Sequence, residues 1–473
     1  MNENDWIQFN EEDTDEALNR FKRSLVLGRK KYFDVSEFEG IVEQLLEEGD
    51  INTSEIAARQ GIQIHPNAVP LHLKYAQVLI NKGKFEDAIK HMNLVESVEP
   101  TNPDVHLIKG SAWLIMGKKN DALKAFKNAI KYADAEIDDI LYHIGLSFIQ
   151  SGDFKKAIYY FEKVLKVNPD DEMALYELGV LYDQIDEYDK SVEYYNRLID
   201  IDPYNYFSWF NLGITHNKAE NHDEAIKAYE LALAANEEFY QALFNIGNAL
   251  ANAGKYDKAI EKYNEYLKKV PDNDYAFCYI GECYLSLENY TEAKKYYQKA
   301  IDLNEANDTA WFGIGLIMWE RRKYAESVAC INKATEIDET NSEYWHTLAK
   351  VYSDLGYKKN AVKTLKKAAK LESDNSEIWL TWANIYLDFD EIDNAVQILK
   401  TAIKKNSDAI LKYRLVGLLL ENKRDEEAFE MLDLAMKQDF IQVTCLFDFY
   451  PKASKNRQLK KRINKFIKIN NTN

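Results

Sequence analysis

The chain has 473 residues, 46% of them hydrophobic, and a formal net charge of −18. No apolar run reaches the length that a helix needs to cross a bilayer, and no Pro/Gly/Ser-rich linker interrupts the chain. The acidic balance argues against non-specific nucleic-acid binding by the molecule as a whole, since a polyanion repels it.

Residues 1–34 read as an acidic tail followed by a capping helix. The opening, Met1 to Glu16, lacks the basic start and apolar core of a secretory signal, which makes the cytoplasm the expected compartment. Thr14 stands as an N-cap before Leu18, Phe21 and Leu25, an apolar face that would seal whatever follows. A basic run, Arg20, Lys22, Arg23, Arg29, Lys30 and Lys31, lies on and just after this helix.

From Val35 to Phe440 the chain repeats itself about twelve times. Gly110, Gly145, Gly179, Gly213, Gly247, Gly281 and Gly315 are separated by 35, 34, 34, 34, 34 and 34 residues. Such a clock marks a stack of like units in which one close contact recurs. A second small residue follows twelve positions later (Ala122, Ala157, Ser191, Ala225, Ala259, Ala293, Ser327), and a large apolar one four positions after that (Phe126, Phe161, Tyr195, Tyr229, Tyr263, Tyr297, Ile331). Apolar residues at three- and four-residue steps give each unit two amphipathic helices, with a turn at Gly83, Gly117, Gly152 or Gly254. The first unit departs from the pattern with Val42 and Ser54. Units near Ser342 and Ser376 use Ala349 and Ala383, and the last has Val416 with its glycine one place late. One extra residue falls in the loop Ala133 to Asp138.

The stretch from Trp209 through Leu212-Gly213, Ala225, Tyr229 and Ala232, with prolines such as Pro203 closing units, resembles the tetratricopeptide repeat family. The resemblance implies an all-α fold, a right-handed α-solenoid of about twelve helical hairpins with an inner groove lined by first helices. It also implies a protein–protein interaction scaffold or adaptor. On that analogy, positions two, five, six, nine and twelve of each first helix face the groove. Position five is aromatic at Tyr142, Tyr176, Phe210, Phe244 and Phe312. Position six holds Asn211 and Asn245, with Asn248 on the same helix as Asn245. An asparagine amide both donates and accepts, so these residues are candidate contacts to a peptide backbone. They also read as solvated polar positions, with the aromatic neighbours packing against the adjacent hairpin.

Family members that grip the terminal carboxylate of chaperone tails do so with lysines at positions two and five. No unit here has lysine or arginine at position five, and the inner positions carry Glu177, Asp183, Glu282, Glu320, Glu343, Asp354 and Asp388. Lys218 and Lys350 are the main exceptions. No such carboxylate-clamp tail is expected, and a basic or amphipathic partner segment suits the face better. The sequence contains no G-x-x-x-x-G-K-[ST], G-x-S-x-G, H-E-x-x-H or Rossmann fingerprint, which points away from an enzyme. Cys278, Cys283, Cys330 and Cys445 have no metal-ligand spacing, so neither metal nor cofactor is expected.

Residues 441–473 read as a C-terminal basic capping helix and tail. Residues 449–473 hold eight lysines and arginines and no acid, leaving −26 on residues 1–448. Leu459, Ile463, Phe466 and Ile467 share one helical face; Lys460, Lys461, Arg462, Lys465 and Lys468 surround it. Two readings stay open. The helix caps the last repeat, or it docks the protein on RNA, the ribosome or an anionic membrane as an accessory factor.

Overall fold

The computed structural model describes residues 16–28, 31–134 and 137–470, and every regular element among them is helical. Thr14, with the rest of the tail, Arg29 and Lys30, and positions 135–136 of the inserted loop lie outside the described residues. The chain forms two compact units, Met1–Glu237 and Glu238–Asn473. The first holds helix α1 (16–26) and six hairpins, from α2 (Val35–Glu47) paired with α3 (Ile51–Ile64) to α12 (Tyr206–Lys218) paired with α13 (His222–Ala235). The second holds six more, from α14 (Gln241–Asn252) paired with α15 (Tyr256–Lys269) to α24 (Ala409–Glu421) paired with α25 (Asp425–Gln438). The fold is an α-solenoid of hairpins.

Most first helices begin where an Asn or Asp side chain accepts a backbone N–H of the opening turn, as Asn205 does from Ser208 and Asn307 from Ala310. The turn inside each hairpin needs one left-handed residue. Gly254 adopts it at φ +72°, whereas Arg322 occupies the equivalent place at φ +57°.

The repeated glycine has a direct steric cause. A Cβ on Gly110 would stand 2.4 Å from the Phe126 ring, and one on Gly247 would stand 2.5 Å from the Tyr263 ring. The large residue sixteen positions on therefore lies flat against a bare patch of the first helix. Where alanine replaces glycine, at Ala349 and Ala383, the partner shrinks to Leu365 and Leu399, all four fully buried. The first hairpin inverts the arrangement, with Val42 in the small slot and Ala58 in the large one, both buried. Buried Ser191 and Ser327, in the second small slot, donate to the Gly179 and Gly315 carbonyls at 2.9 and 2.8 Å, which satisfies their hydroxyls.

A second recurring contact joins several hairpins to the loop before them. Trp209, Trp311, Trp345 and Trp379 each donate the indole Nε1–H to the carbonyl six residues earlier, at 2.9 Å. His72 and His106 occupy the same place, their Nε2 atoms 2.8 and 3.0 Å from the Pro66 and Pro100 carbonyls.

Both ends are covered. Leu18 and Phe21 of α1 are buried against Phe33 and Phe38, with Phe21 5.8 and 6.3 Å from those rings. At the other end come α26 (Val443–Phe449), a 3-10 turn at Pro451–Lys455 and α27 (Arg457–Asn470). Leu459 and Ile463 of α27 are buried in one apolar cluster with Leu432 and Met436, and Phe466 stacks on Phe440 at 5.3 Å. The late glycine finds its reason here. A Cβ on Gly417 would stand 3.2 Å from the Tyr450 Cβ, so Gly417 receives the C-terminal segment while Val416 fills the hairpin.

Candidate partner-binding face

In the first unit the relevant surface is carried by the first helices α8 (Ile137–Gln150), α10 (Glu172–Gln184) and α12. The rings at position five rest on the ring that fills the glycine slot of their own hairpin. Tyr142 lies 5.4 Å from Phe161, Tyr176 6.5 Å from Tyr195, and Phe210 5.5 Å from Tyr229. Tyr142 and Phe210 are half-buried, but Tyr176 remains 42% exposed. Tyr142 and Tyr176 meet in an open cavity of about 420 Å³, whose walls also include Met173, Leu198 and Phe207, with Glu172 at the side. Met173 and Phe207 are 56% and 53% exposed. Sequence reasoning missed both as candidates, although each stands at position two, a position already assigned to this face. Asn211 is half-buried on α12, outside this cavity.

The acids on the first unit's face differ in state. Burial raises the Glu177 carboxyl above its ordinary value. Asp183 pairs with Lys218 and accepts from the Thr215 hydroxyl at 3.3 Å, so one of the two inner lysines is already neutralised.

In the second unit the asparagines serve one another. The Tyr263 hydroxyl donates to Asn248 Oδ1 at 2.7 Å, and Asn248 Nδ2 donates to Asn245 Oδ1 at 3.2 Å. Phe244 is packed among Tyr263, Tyr266 and Tyr279 at 5.3–5.6 Å. Phe312 is buried against Tyr344 at 4.6 Å. Both rings are thus built into the hairpin packing, and Phe312 offers little surface. Lys350 is 3.1 Å from Glu377. Desolvation first, then the Glu343 charge, push the Glu282 carboxyl up to about 7.

Of the basic residues of α27, Arg462 differs from the lysines around it. Arg462 binds both oxygens of Asp433, at 2.9–3.2 Å, and its guanidinium sits 5.2 Å over Phe429, which ties it to the last hairpin. Lys460, Lys461, Lys465 and Lys468 are exposed. Among the described residues no group of His, Cys, Asp or Glu is gathered as a metal site requires, and no helix is long and apolar enough to cross a membrane.

The model of the cilia and flagella-associated protein 70 C-terminal domain matches residues 239–445. Tetratricopeptide repeat models match 45–112, 114–164, 142–206 and 194–227. No curated protein matches in sequence. Among solved structures, MamA is 30% identical over 34% of this chain and 95% of its own, with a TM-score of 0.33. Yeast Tom70 is 13% identical over 86% of this chain and 96% of its own, with a TM-score of 0.46. A chain of the Cut9–Hcn1 hetero-tetramer of APC/C is 12% identical over 85% and 96%, with a TM-score of 0.38. With its repeat register matched along both units, the chain belongs to the tetratricopeptide repeat proteins.

Proposed function

We propose that this chain is a non-enzymatic adaptor whose first-helix face holds basic or amphipathic segments of partner proteins. The fold is one typical of protein–protein interaction modules. The observation that carries the reading is the cavity of Tyr142, Met173, Tyr176 and Phe207, where apolar side chains stand open to solvent beside Glu172. A monomer gains nothing from leaving such a cluster uncovered, and an inserted side chain would bury it. Free cysteines throughout fit a reducing compartment, and the cytoplasm is the setting we assign.

The test is affinity capture from the native cell with a Tyr176→Ala, Phe207→Ala variant that melts like the parent. Losing an aromatic anchor costs about 2 kcal/mol, roughly 30-fold in affinity. The partners should be depleted accordingly, and an unchanged set would remove the site from this face.

A second reading rests on the four exposed lysines of α27, which form a positive pole on an acidic chain. On it, the protein docks as an accessory factor on a ribosome, RNA or anionic membrane. Salt-sensitive cosedimentation with ribosomes or anionic vesicles, lost on changing those lysines to glutamine, is the expected result. Cosedimentation that survives the change excludes it.

A further inference from the structure

In the second unit, a crevice opens on the side of the second helices, between α21 (Lys358–Leu371) and α23 (Ile392–Lys405), with α22 (Ser376–Asp388) as its floor. Its volume is about 650 Å³. The floor is apolar: Ala369, Ile398 and the parallel rings of Trp379 and Trp382, 5.7 Å apart. Lys366, Lys370 and Lys405 line it, and no carboxylate does. Among the described residues none of these three lysines makes an ion pair; Lys405 lies 5.8 Å over the Trp379 ring. Helix α21 carries six lysines and no acid, within a chain of net charge −18.

An independent observation lies at the same place. Trp379 Nε1 donates to the Ser373 carbonyl, but the Nε1–H of Trp382 is buried and has no hydrogen-bond partner. Trp382 is only 8% exposed. A buried donor left unmade is costly, and it is the kind of group that a ligand oxygen completes. The neighbouring crevice, one hairpin earlier, contrasts with this one. It has its own acids, Glu336 and Glu339, beside Lys363 and Lys367, and Lys367 sits 3.8 Å over the Trp345 ring, so its lining carries no excess of positive charge.

We propose that the crevice of Lys366, Lys370, Lys405 and Trp382 binds an acidic peptide segment carrying an apolar side chain. The carboxylates would meet the lysines, one oxygen would accept from the Trp382 indole, and the apolar side chain would cover Ala369 and Ile398. A bare phosphate leaves that apolar floor open, and a nucleic-acid strand meets an otherwise acidic molecule. This site is separate from the first-helix face and opposite to it in the charge it selects.

The experiment is fluorescence anisotropy on the full chain, with a labelled decapeptide of glutamate and aspartate around a central leucine–tryptophan pair. Binding should weaken at least tenfold in Lys366→Gln, Lys370→Gln, Lys405→Gln, whose side chains are exposed and make no ion pair, so the fold is retained. It should weaken several-fold in Trp382→Phe, which keeps an aromatic ring but removes the donor. A Phe207→Ala variant should bind as the parent does, since that residue belongs to the other site. Equal binding by the triple variant overturns the proposal. So does equal binding of a peptide with glycine and serine at its centre, or displacement by equimolar inorganic phosphate, because either leaves only a diffuse anion attraction. Loss of binding in Phe207→Ala alone would place the peptide on the first-helix face and overturn it as well.

Discussion

Adding one methyl group at Gly247 should loosen the α14–α15 hairpin, and shrinking Tyr263 to leucine in the same molecule should relieve the clash. The new Cβ would stand 2.5 Å from Tyr263 Cε1, so the ring must retreat by about 1 Å to reach ordinary carbon contact. It has nowhere to go. Tyr263 is fully buried, its hydroxyl is fixed to Asn248, and Phe244 and Tyr279 flank it at 5.6 and 5.8 Å. Overpacking of this kind costs about 1–3 kcal/mol, against a gain of up to about 1 kcal/mol from alanine's helix propensity. Gly247→Ala alone should therefore cost about 1–2 kcal/mol, and Tyr263→Leu alone about 2–3 kcal/mol for its cavity and lost hydrogen bond. The double variant should cost less than their sum by about 1–2 kcal/mol, since it recreates the alanine–leucine pair found at Ala349–Leu365 and Ala383–Leu399. Native-state hydrogen exchange of the α14 and α15 amides reads the opening free energy of this hairpin directly. If the two changes add to within about 0.5 kcal/mol, the glycine and the ring do not form a pair and the packing argument is wrong.

Three further outcomes follow from the same packing. Glu282 has a folded-state pKa raised to about 7, so its proton is held more tightly folded than unfolded; stability should fall as pH rises from about 4.5 to about 7, and Glu282→Gln should flatten that fall and raise the melting temperature at pH 8. Arg322→Gly removes a side chain from a left-handed turn while keeping the backbone bond from Arg322 N to the Trp319 carbonyl, and should stabilise by about 0.5–1 kcal/mol in urea melts. Arg462→Gln should lower the melting temperature slightly, by under about 1 kcal/mol because the Asp433 pair is about two-fifths exposed and screened, whereas glutamine at Lys460, Lys461, Lys465 and Lys468 should leave it unchanged.

The repeat was legible because its signal is steric and therefore strict. A glycine at position eight can be read from spacing alone, since a ring that tolerates no Cβ lies sixteen residues away. The histidines show where the reading stopped short. His72 and His106 hold the place of the repeat's tryptophan, and register alone identifies it, but the shared bond to a carbonyl six residues back emerges only from coordinates. Binding residues were harder for a physical reason. Tyr176 and Phe312 occupy the same register position, yet one is 42% exposed and the other 8%. Exposure depends on the neighbouring hairpin, where Tyr344 covers Phe312. Arg462 was grouped with the lysines around it because a sequence shows charge but not the Asp433 side chain waiting on another helix. The crevice between α21 and α23 was overlooked for a similar reason, since its lysines come from two helices of different hairpins.

The glycine and the ring that lies on it belong to the same hairpin, as do Gly110 with Phe126 and Gly247 with Tyr263. Cutting within a hairpin destroys such a pair; cutting between hairpins spares it, except before Trp311, where Gly313 also lies against Tyr297 of the preceding hairpin. Whole modules of 34 residues can thus be duplicated or excised without redesign of their interiors, and the molecule can change length in fixed increments. Recombination breakpoints should be tolerated at the loops that precede Trp209, Trp345 or Trp379, and rejected at the tight turns such as that of Gly254, where the gene would part a ring from its seat.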